Sequence, residues 1–117
     1  MRRLTALSIA CALIAACTPR ISDAEALALA REVAPLFEHH TAVGPLPREV
    51  WPASVATLKP QGVYVRADGL YVVTWSLFVG ERGVFVPKAK ASFSANHGTD
   101  PQYEPVGHGV FVYRISG

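Results

Sequence analysis

The chain has 117 residues, of which 50% are apolar, 9% aromatic and 17% charged; these proportions fit one small globular domain and neither a disordered chain nor two domains. The formal net charge of +2 comes from Arg2 and Arg3, because the segment from Cys17 onward carries nine basic and nine acidic residues. An electroneutral domain lacks the basic surface that nucleic-acid binding requires, so we expect no nucleic-acid partner.

The N-terminus has the layout of an export signal. Met1–Arg3 is a short cationic start, and the thirteen residues from Leu4 to Ala16 carry no charge. A helix of thirteen residues is about 20 Å long, which is short of the roughly 30 Å hydrocarbon core of a bilayer. The segment therefore predicts a signal peptide and not a transmembrane anchor.

The uncharged run ends in Leu13-Ile14-Ala15-Ala16-Cys17, which resembles the bacterial lipobox. The resemblance covers the first seventeen residues and implies cleavage before Cys17 and acylation of its thiol. Thr18 stands where many lipoproteins retained in the inner membrane carry Asp, and by the same resemblance this favours the outer membrane, facing the periplasm. The alternative is an ordinary secretory signal cut near Ala12 or Ala16, which leaves Cys17 as a free thiol.

The lipobox reading divides the chain into a signal peptide at 1–16, a short lipidated tether at 17–21 and a single small domain at 22–117. With Cys11 removed and Cys17 acylated, no disulfide is available to the mature chain. The four residues between Cys17 and residue 22 extend at most about 14 Å. We therefore expect membrane lipid as a partner through acylated Cys17, with the domain held against the bilayer.

Two helices are predicted before the strands begin. Ser22-Asp23-Ala24-Glu25 fits a capping box, which starts a helix that runs to about His40 with Pro35 on its polar side. A second, short helix is predicted within Trp51–Pro60, because Pro52 suits a first helical turn and Pro60 ends the segment. The apolar face of the first helix consists of Ala26, Leu29, Ala30, Val33, Leu36 and Phe37.

Beyond the second helix the apolar period changes from that of a helix to that of a strand. Asp68-Gly69 is a hairpin signal and Gly80–Gly83 a second one, which makes the first three strands an antiparallel meander. The segment from Lys88 to His108 is expected to be a long connection fixed by Phe93 and Tyr103. Four strands are predicted, at Gly62–Arg66, Leu70–Val79, Gly83–Pro87 and Gly109–Ile115. The expected fold is α+β, with the N-terminal helix packed on a four-stranded antiparallel sheet and a short second helix.

A turn at Asp68-Gly69 pairs Ala67 with Leu70 and divides the side chains of the meander between two faces. One face carries Val63, Val65, Leu70, Val72, Thr74 and Phe78, and the other carries Tyr64, Arg66, Tyr71, Val73, Trp75 and Leu77. Neither face is polar, so both must be covered. The first helix can cover one face, and the other is left to the second helix, to the 88–108 segment or to a partner.

The candidate partner-binding surface consists of Tyr64, Arg66, Tyr71 and Trp75, because tyrosine, tryptophan and arginine are enriched at binding hot spots. The alternative is that the 88–108 segment folds over these rings and makes them ordinary core, with Arg66 reaching out to solvent.

Catalytic and metal-binding chemistry has little support in the sequence. The mature chain has no free cysteine, no Gly-x-Ser-x-Gly motif and no glycine loop that leads from a strand into a helix. His97, Asp100 and His108 form the one set that could gather imidazoles and a carboxylate, as a metal site or in a hydrolase. Such residues more often form turns, so we expect no metal, no cofactor and no enzymatic activity.

These observations favour a protein-binding module of the bacterial envelope, of the inhibitor, immunity or assembly-factor type, with an envelope or periplasmic protein as its partner. A binder of lipid or of a small apolar ligand at the membrane surface is the alternative, because the short tether places two apolar sheet faces near the bilayer.

Overall fold

Two α-helices and six strands follow one another in the residues that the computed structural model describes, which are 20–39, 41–89 and 100–117. The helices are α1 (Asp23–Glu38) and α2 (Ala53–Thr57), with a 3-10 helix at Arg48–Val50 between them. The strands are β1 (Gly44–Pro45), β2 (Gly62–Arg66), β3 (Gly69–Leu77), β4 (Gly80–Pro87), β5 (Gln102–Gly107) and β6 (Val110–Ile115). In these ranges no helix is both long and apolar enough to span a bilayer. The predictions for 1–19, Phe93 and His97 lie outside the described residues.

Helix α1 begins where the sequence predicts. The Ser22 hydroxyl accepts from the backbone N–H of Glu25 at 3.1 Å, and the Glu25 carboxylate accepts from the backbone N–H of Ser22 at 3.2 Å. The helix continues past Pro35 to Glu38. Its buried residues are Ala26, Leu29 and Val33, with Ala30, Leu36 and Phe37 partly buried against the same core. The capping box, the proline inside the helix and the apolar face are all confirmed.

Helix α2 is shorter than the segment that predicts it and is held against α1. The carboxylate of Glu32 in α1 accepts from the backbone N–H of Ser54 at 3.0 Å, which satisfies one of the free N–H groups of the first turn. The Trp51 indole donates to the Leu46 carbonyl at 2.9 Å. Val55 is buried in the same core as α1. Both helices therefore lie on one face of the sheet.

The sheet contains six antiparallel strands in the order β1-β2-β3-β4-β6-β5, so the α+β class is confirmed and the count of four strands is wrong. β1 has two residues, Gly44 and Pro45, which is too short to show a period of two. β5 lies in the segment that was expected to be a connection. Its Gly, Pro and Glu residues hide the alternation, although Tyr103 does pin it to the core as predicted.

The β2–β3 hairpin turns at Ala67 and Asp68, two positions away from the predicted register. The observed pairs are Val65 with Leu70 and Tyr64 with Tyr71, whereas a turn at Asp68-Gly69 pairs Ala67 with Leu70. A shift of two residues leaves every side chain on its original face, because the side-chain period of a strand is two. The predicted division into two faces therefore holds up to Val73.

The β3–β4 hairpin differs from the prediction in its turn and in its regularity. The loop is Phe78-Val79 and not Gly80–Gly83, which belongs to β4. A β-bulge interrupts the pairing between Val73 and Trp75. Gly83 lies opposite this bulge, where a Cβ would come within 1.9 Å of the Val72 carbonyl oxygen. Gly83, which suggests a turn in the sequence, thus allows a close approach of two strands.

Both faces of the sheet are buried, as their composition requires. The helix face is aliphatic and packs strand residues against α1 and α2. Its strand members are Val63, Val65, Leu70, Val72, Val84, Val86 and Val110. The aromatic face is the opposite one, and its members are Tyr64, Tyr71, Phe85, Tyr103, Phe111, Tyr113 and Ile115.

Candidate functional site

Tyr71 is the centre of the aromatic face. Its ring stacks on Tyr64 at a centroid distance of 5.0 Å and lies 4.5 Å from the ring of Phe85. Tyr113 meets it edge-on at 5.1 Å. Stacked and edge-to-face geometries are the favourable arrangements of aromatic quadrupoles, so strand register alone brings these rings into contacts that stabilise them.

The carboxylate of Glu81 joins two phenols of this face. Its Oε2 accepts a hydrogen bond from the Tyr64 hydroxyl at 2.6 Å and another from the Tyr113 hydroxyl at 2.7 Å. Glu81 pairs with Ile115 in the sheet, so its side chain emerges on the aromatic face. A single ionised oxygen thereby satisfies two donors from β2 and β6.

A second carboxylate, that of Asp68 in the β2–β3 turn, holds Tyr71. The Tyr71 hydroxyl donates to Asp68 Oδ2 at 2.8 Å and lies 2.8 Å from the Tyr103 hydroxyl. Because Tyr71 has one hydroxyl hydrogen and gives it to Asp68, Tyr103 donates to Tyr71. The other oxygen of Asp68, Oδ1, is buried and has no hydrogen-bond partner among the residues that the structure describes.

The hydroxyls on this face stay protonated at neutral pH. Burial raises the pKa of Tyr71, and its hydrogen bonds with Tyr103 and Asp68 raise it further. Burial and the bond to Glu81 raise the pKa of Tyr113 and of Tyr64 in the same way. Burial likewise raises the pKa of Tyr103. These phenols therefore stay protonated and act as hydrogen-bond donors. The arrangement stabilises the sheet and offers no tyrosinate as a base or nucleophile.

Three of the four residues predicted to bind a partner come together on this face. Arg66 is exposed, and its guanidinium lies 5.1 Å from the ring centroid of Tyr64 and 5.8 Å from that of Tyr71. Tyr64 is half-buried, whereas Tyr71 is only 3% exposed. Tyr71 is therefore a core residue and Arg66 reaches solvent, in line with the alternative prediction for these two residues.

Trp75, the fourth predicted residue, lies on the other face. Beyond the bulge it pairs with Arg82, whose guanidinium is 5.2 Å from the indole centroid. Arg82 is two residues from Val84 of the helix face, and paired residues share a face, so Trp75 lies there too. The bulge adds one residue to β3 and inverts the alternation after Val73.

The set considered for metal binding or hydrolysis is not brought together. Asp100 accepts from the backbone N–H groups of Ser116 and Gly117 at 2.7 and 2.9 Å. His108 lies at the other end of β5, where its Nε2 is 3.0 Å from Asp23 Oδ1 at the start of α1. His97 is outside the described residues. No cluster of three metal-ligating side chains occurs within residues 20–39, 41–89 and 100–117.

The sequence interpretation missed four residues that complete the aromatic face, namely Glu81, Phe85, Phe111 and Tyr113. It named Tyr103 only as a residue that fixes the 88–108 segment. The alternation of Phe111 and Tyr113 with valines in the last strand is a signal that could have placed those two rings together. No local signal identifies Glu81, because its partners are 17 and 32 residues away in sequence.

Comparisons with protein-family profiles, curated proteins and solved structures found no match to this chain.

Proposed function

We propose that the chain is a lipid-anchored protein of the bacterial cell envelope, in the outer membrane facing the periplasm, that binds another envelope protein. The lipobox-like sequence ending at Cys17 supports the anchor. Thr18 in place of Asp supports the sorting to the outer membrane. The proposal is one of binding and not of catalysis.

The observation that carries the proposal is the short length of chain between the predicted anchor, Cys17, and the first residue of the folded domain. Ile21 already packs against the core of the helix face, and α1 starts two residues later. The chain from Cys17 to Ile21 spans at most about 14 Å. The start of α1 lies beside the β5–β6 turn, where Asp23 Oδ1 is 3.0 Å from His108 Nε2. An acylated Cys17 would therefore hold this end of the sheet at the bilayer surface.

Two or three acyl chains would make this attachment stable. Each buried CH₂ contributes about 0.8 kcal/mol, and a single chain binds a membrane only marginally, so stable attachment requires more than one. A chain held so firmly and so closely is suited to act on partners that share its membrane or lie just above it.

Metabolic labelling with a fatty acid tests the anchor. We expect label on the native chain and none on the Cys17→Ala variant, with the native product lacking residues 1–16 by intact mass. Cys11→Ala is the matched control, because its thiol lies in the segment to be removed, and it should label normally. A native product that retains residues 1–16 unmodified would contradict the proposal.

The predicted binding surface is tested through its exposed member. Arg66→Glu reverses the charge above the Tyr64 and Tyr71 rings without opening the core, whereas Tyr71→Ala would remove a buried ring and disturb the fold. If this face binds the partner, Arg66→Glu should lose proteins that co-purify with the wild type from detergent-solubilised envelope. Identical sets of proteins would count against this face and direct attention elsewhere on the domain.

A further inference from the structure

The β3–β4 hairpin ends in an exposed apolar tip formed by Leu77, Phe78 and Val79, which are 56%, 97% and 72% exposed. Two-residue hairpin loops normally contain Asn, Asp or Gly. Phe78 instead occupies this loop with a φ of +54°, in the left-handed region that bulky side chains seldom adopt. Turn formation does not call for an aromatic residue here, so a different requirement places its ring in solvent.

A row of three side chains crosses the sheet directly below the tip. Trp75 pairs with Arg82, and Arg82 pairs with Arg114, so the three lie side by side on the helix face. The Arg82 guanidinium lies 5.2 Å from the Trp75 ring centroid, and the Arg114 guanidinium donates to Gln102. Neither arginine has a carboxylate within salt-bridge distance in the described part of the chain.

The two acidic residues near this end are already engaged. Glu81 accepts from two tyrosine hydroxyls on the aromatic face. Asp100 accepts from the backbone N–H groups of Ser116 and Gly117. Both carboxylates keep their negative charge, but neither forms a salt bridge with Arg82 or Arg114 within the described residues. The two guanidinium groups are therefore able to pair with carboxylates of a partner.

The tip points away from the bilayer that the proposed function assigns to Cys17. Asp23 at the start of α1 contacts His108 in the β5–β6 turn, which lies at the Pro87 end of β4. Leu77 is at the opposite end, because it pairs with Gly80 at the start of β4. The nine residues of β3 separate the two ends by about 26 Å. A tether of at most about 14 Å beyond Ile21 keeps the anchored end at the membrane and leaves the tip facing the periplasm.

We propose that the tip of Leu77, Phe78 and Val79, with the row of Trp75, Arg82 and Arg114, is the surface by which this chain docks into another envelope protein. The proposal rests on the lipid anchor of the proposed function, because the tether length is what removes the anchoring bilayer as the occupant. The partner must provide an apolar pocket that takes the Phe78 ring, with carboxylates at its rim that face the two arginines. Aromatic and arginine side chains are those that dominate binding at interfaces.

Site-specific photo-crosslinking in intact cells tests the docking surface with the full-length, membrane-bound chain. The probe is p-benzoylphenylalanine in place of Phe78, and the matched control carries it in place of Ala67, an exposed residue of the hairpin turn at the anchored end. We expect a discrete protein adduct from position 78 that position 67 does not give. Adding Arg82→Glu and Arg114→Glu should reduce its yield at least tenfold.

The protein identified in this adduct then provides a quantitative test. As purified components, it should bind the wild-type chain at least tenfold more tightly than the Phe78→Ser variant, with the unfolding midpoint of that variant unchanged. An adduct with lipid, an adduct with the mass of two copies of this chain, the same adducts from both positions, or no adduct at all would each overturn the docking surface.

Fatty-acid labelling of the same cells separates this proposal from the anchor. A labelled chain without the position-78 adduct would contradict the docking surface and leave the anchor standing. An unlabelled chain that still forms the adduct and depends on the two arginines would contradict the anchor and leave the docking surface standing.

Discussion

The two faces of the sheet bury their side chains by different physical means. The helix face is aliphatic, and it packs against α1 and α2 through the hydrophobic effect, which requires burial of apolar surface but no particular geometry. The aromatic face uses rings at defined angles and hydroxyls tied to two carboxylates, Asp68 and Glu81. The stability that the helix face contributes should therefore not change with pH and should tolerate changes of side-chain shape. The contribution of the aromatic face depends on protonated tyrosine hydroxyls and on the positions of the rings. The predictions below test this contrast.

The largest expected effect is loss of stability in alkali. All four tyrosines of the chain lie on the aromatic face, and the pKa of each is raised by burial. Unfolded tyrosine has a pKa near 10, so above that pH the folded state holds more protons and stability falls as pH rises. Each tyrosine that stays protonated in the folded state lowers the free energy of unfolding by about 1.4 kcal/mol per pH unit above pH 10.

For the buried pair Tyr71 and Tyr113 alone this amounts to about 3 kcal/mol per pH unit above pH 10, while stability below pH 10 should be unaffected by these groups. Tyrosinate absorbance reports only on this face and should rise abruptly, together with unfolding. Gradual ionisation of the folded protein with a midpoint near pH 10 would show that folding does not raise the pKa of these tyrosines.

Changes of side-chain shape should separate the two faces next. Phe85 and Leu29 are both fully buried. Phe85→Met keeps an apolar side chain but removes the ring contact with Tyr71, and should lower the free energy of unfolding by more than about 1.5 kcal/mol. Leu29→Met keeps its volume and should cost less than about 1.5 kcal/mol. Urea denaturation measures both. Similar losses for the two variants would mean that the helix face is as shape-specific as the aromatic one.

Glu81→Gln tests the charge that holds two phenols together. The amide oxygen can still accept hydrogen bonds from Tyr64 and Tyr113, but bonds to a charged acceptor are the stronger ones, and we expect a loss of about 1–2 kcal/mol. Removal of the carboxylate should also lower the pKa of both tyrosines, because Glu81 contributes to raising them. An unchanged alkaline titration in this variant would indicate that burial alone sets those values.

The smallest expected effect concerns Arg66, the exposed cation above the aromatic face. Its guanidinium lies near the rings of Tyr64 and Tyr71, and exposed contacts of this kind contribute about 0.5–1 kcal/mol. Arg66→Ala should therefore lower the free energy of unfolding by no more than that, measured by urea denaturation. Arg66→Lys is the control, because it keeps the charge without the planar group. A loss of several kcal/mol would mean that Arg66 is part of the core.

The candidate site was predictable only as far as Val73. Up to that residue, a register that was wrong by two positions still placed Tyr64, Arg66 and Tyr71 on one face, because strand alternation is unchanged by an even shift. Beyond it, a one-residue bulge moved Trp75 to the opposite face. The alternation of residue types does not reveal a bulge when the residues on both faces are apolar.

Local chemistry fixed some features of the protein within the sequence itself. The capping box of Ser22 and Glu25, the apolar stripe of α1 and the strand segments β2, β3, β4 and β6 follow from interactions between residues a few positions apart. The composition of the meander also required that both of its faces be covered.

Other features were decided by tertiary structure. The edge strands β1 and β5 exist because neighbouring strands offer them partners, and Glu81 acquires its role because β2 and β6 bring two phenols to one carboxylate. The place of Phe78 in the β3–β4 loop is set by the pairing of Leu77 with Gly80. Pairings between strands that are distant in sequence depend on the assembly of the whole sheet, which local residue patterns do not predict.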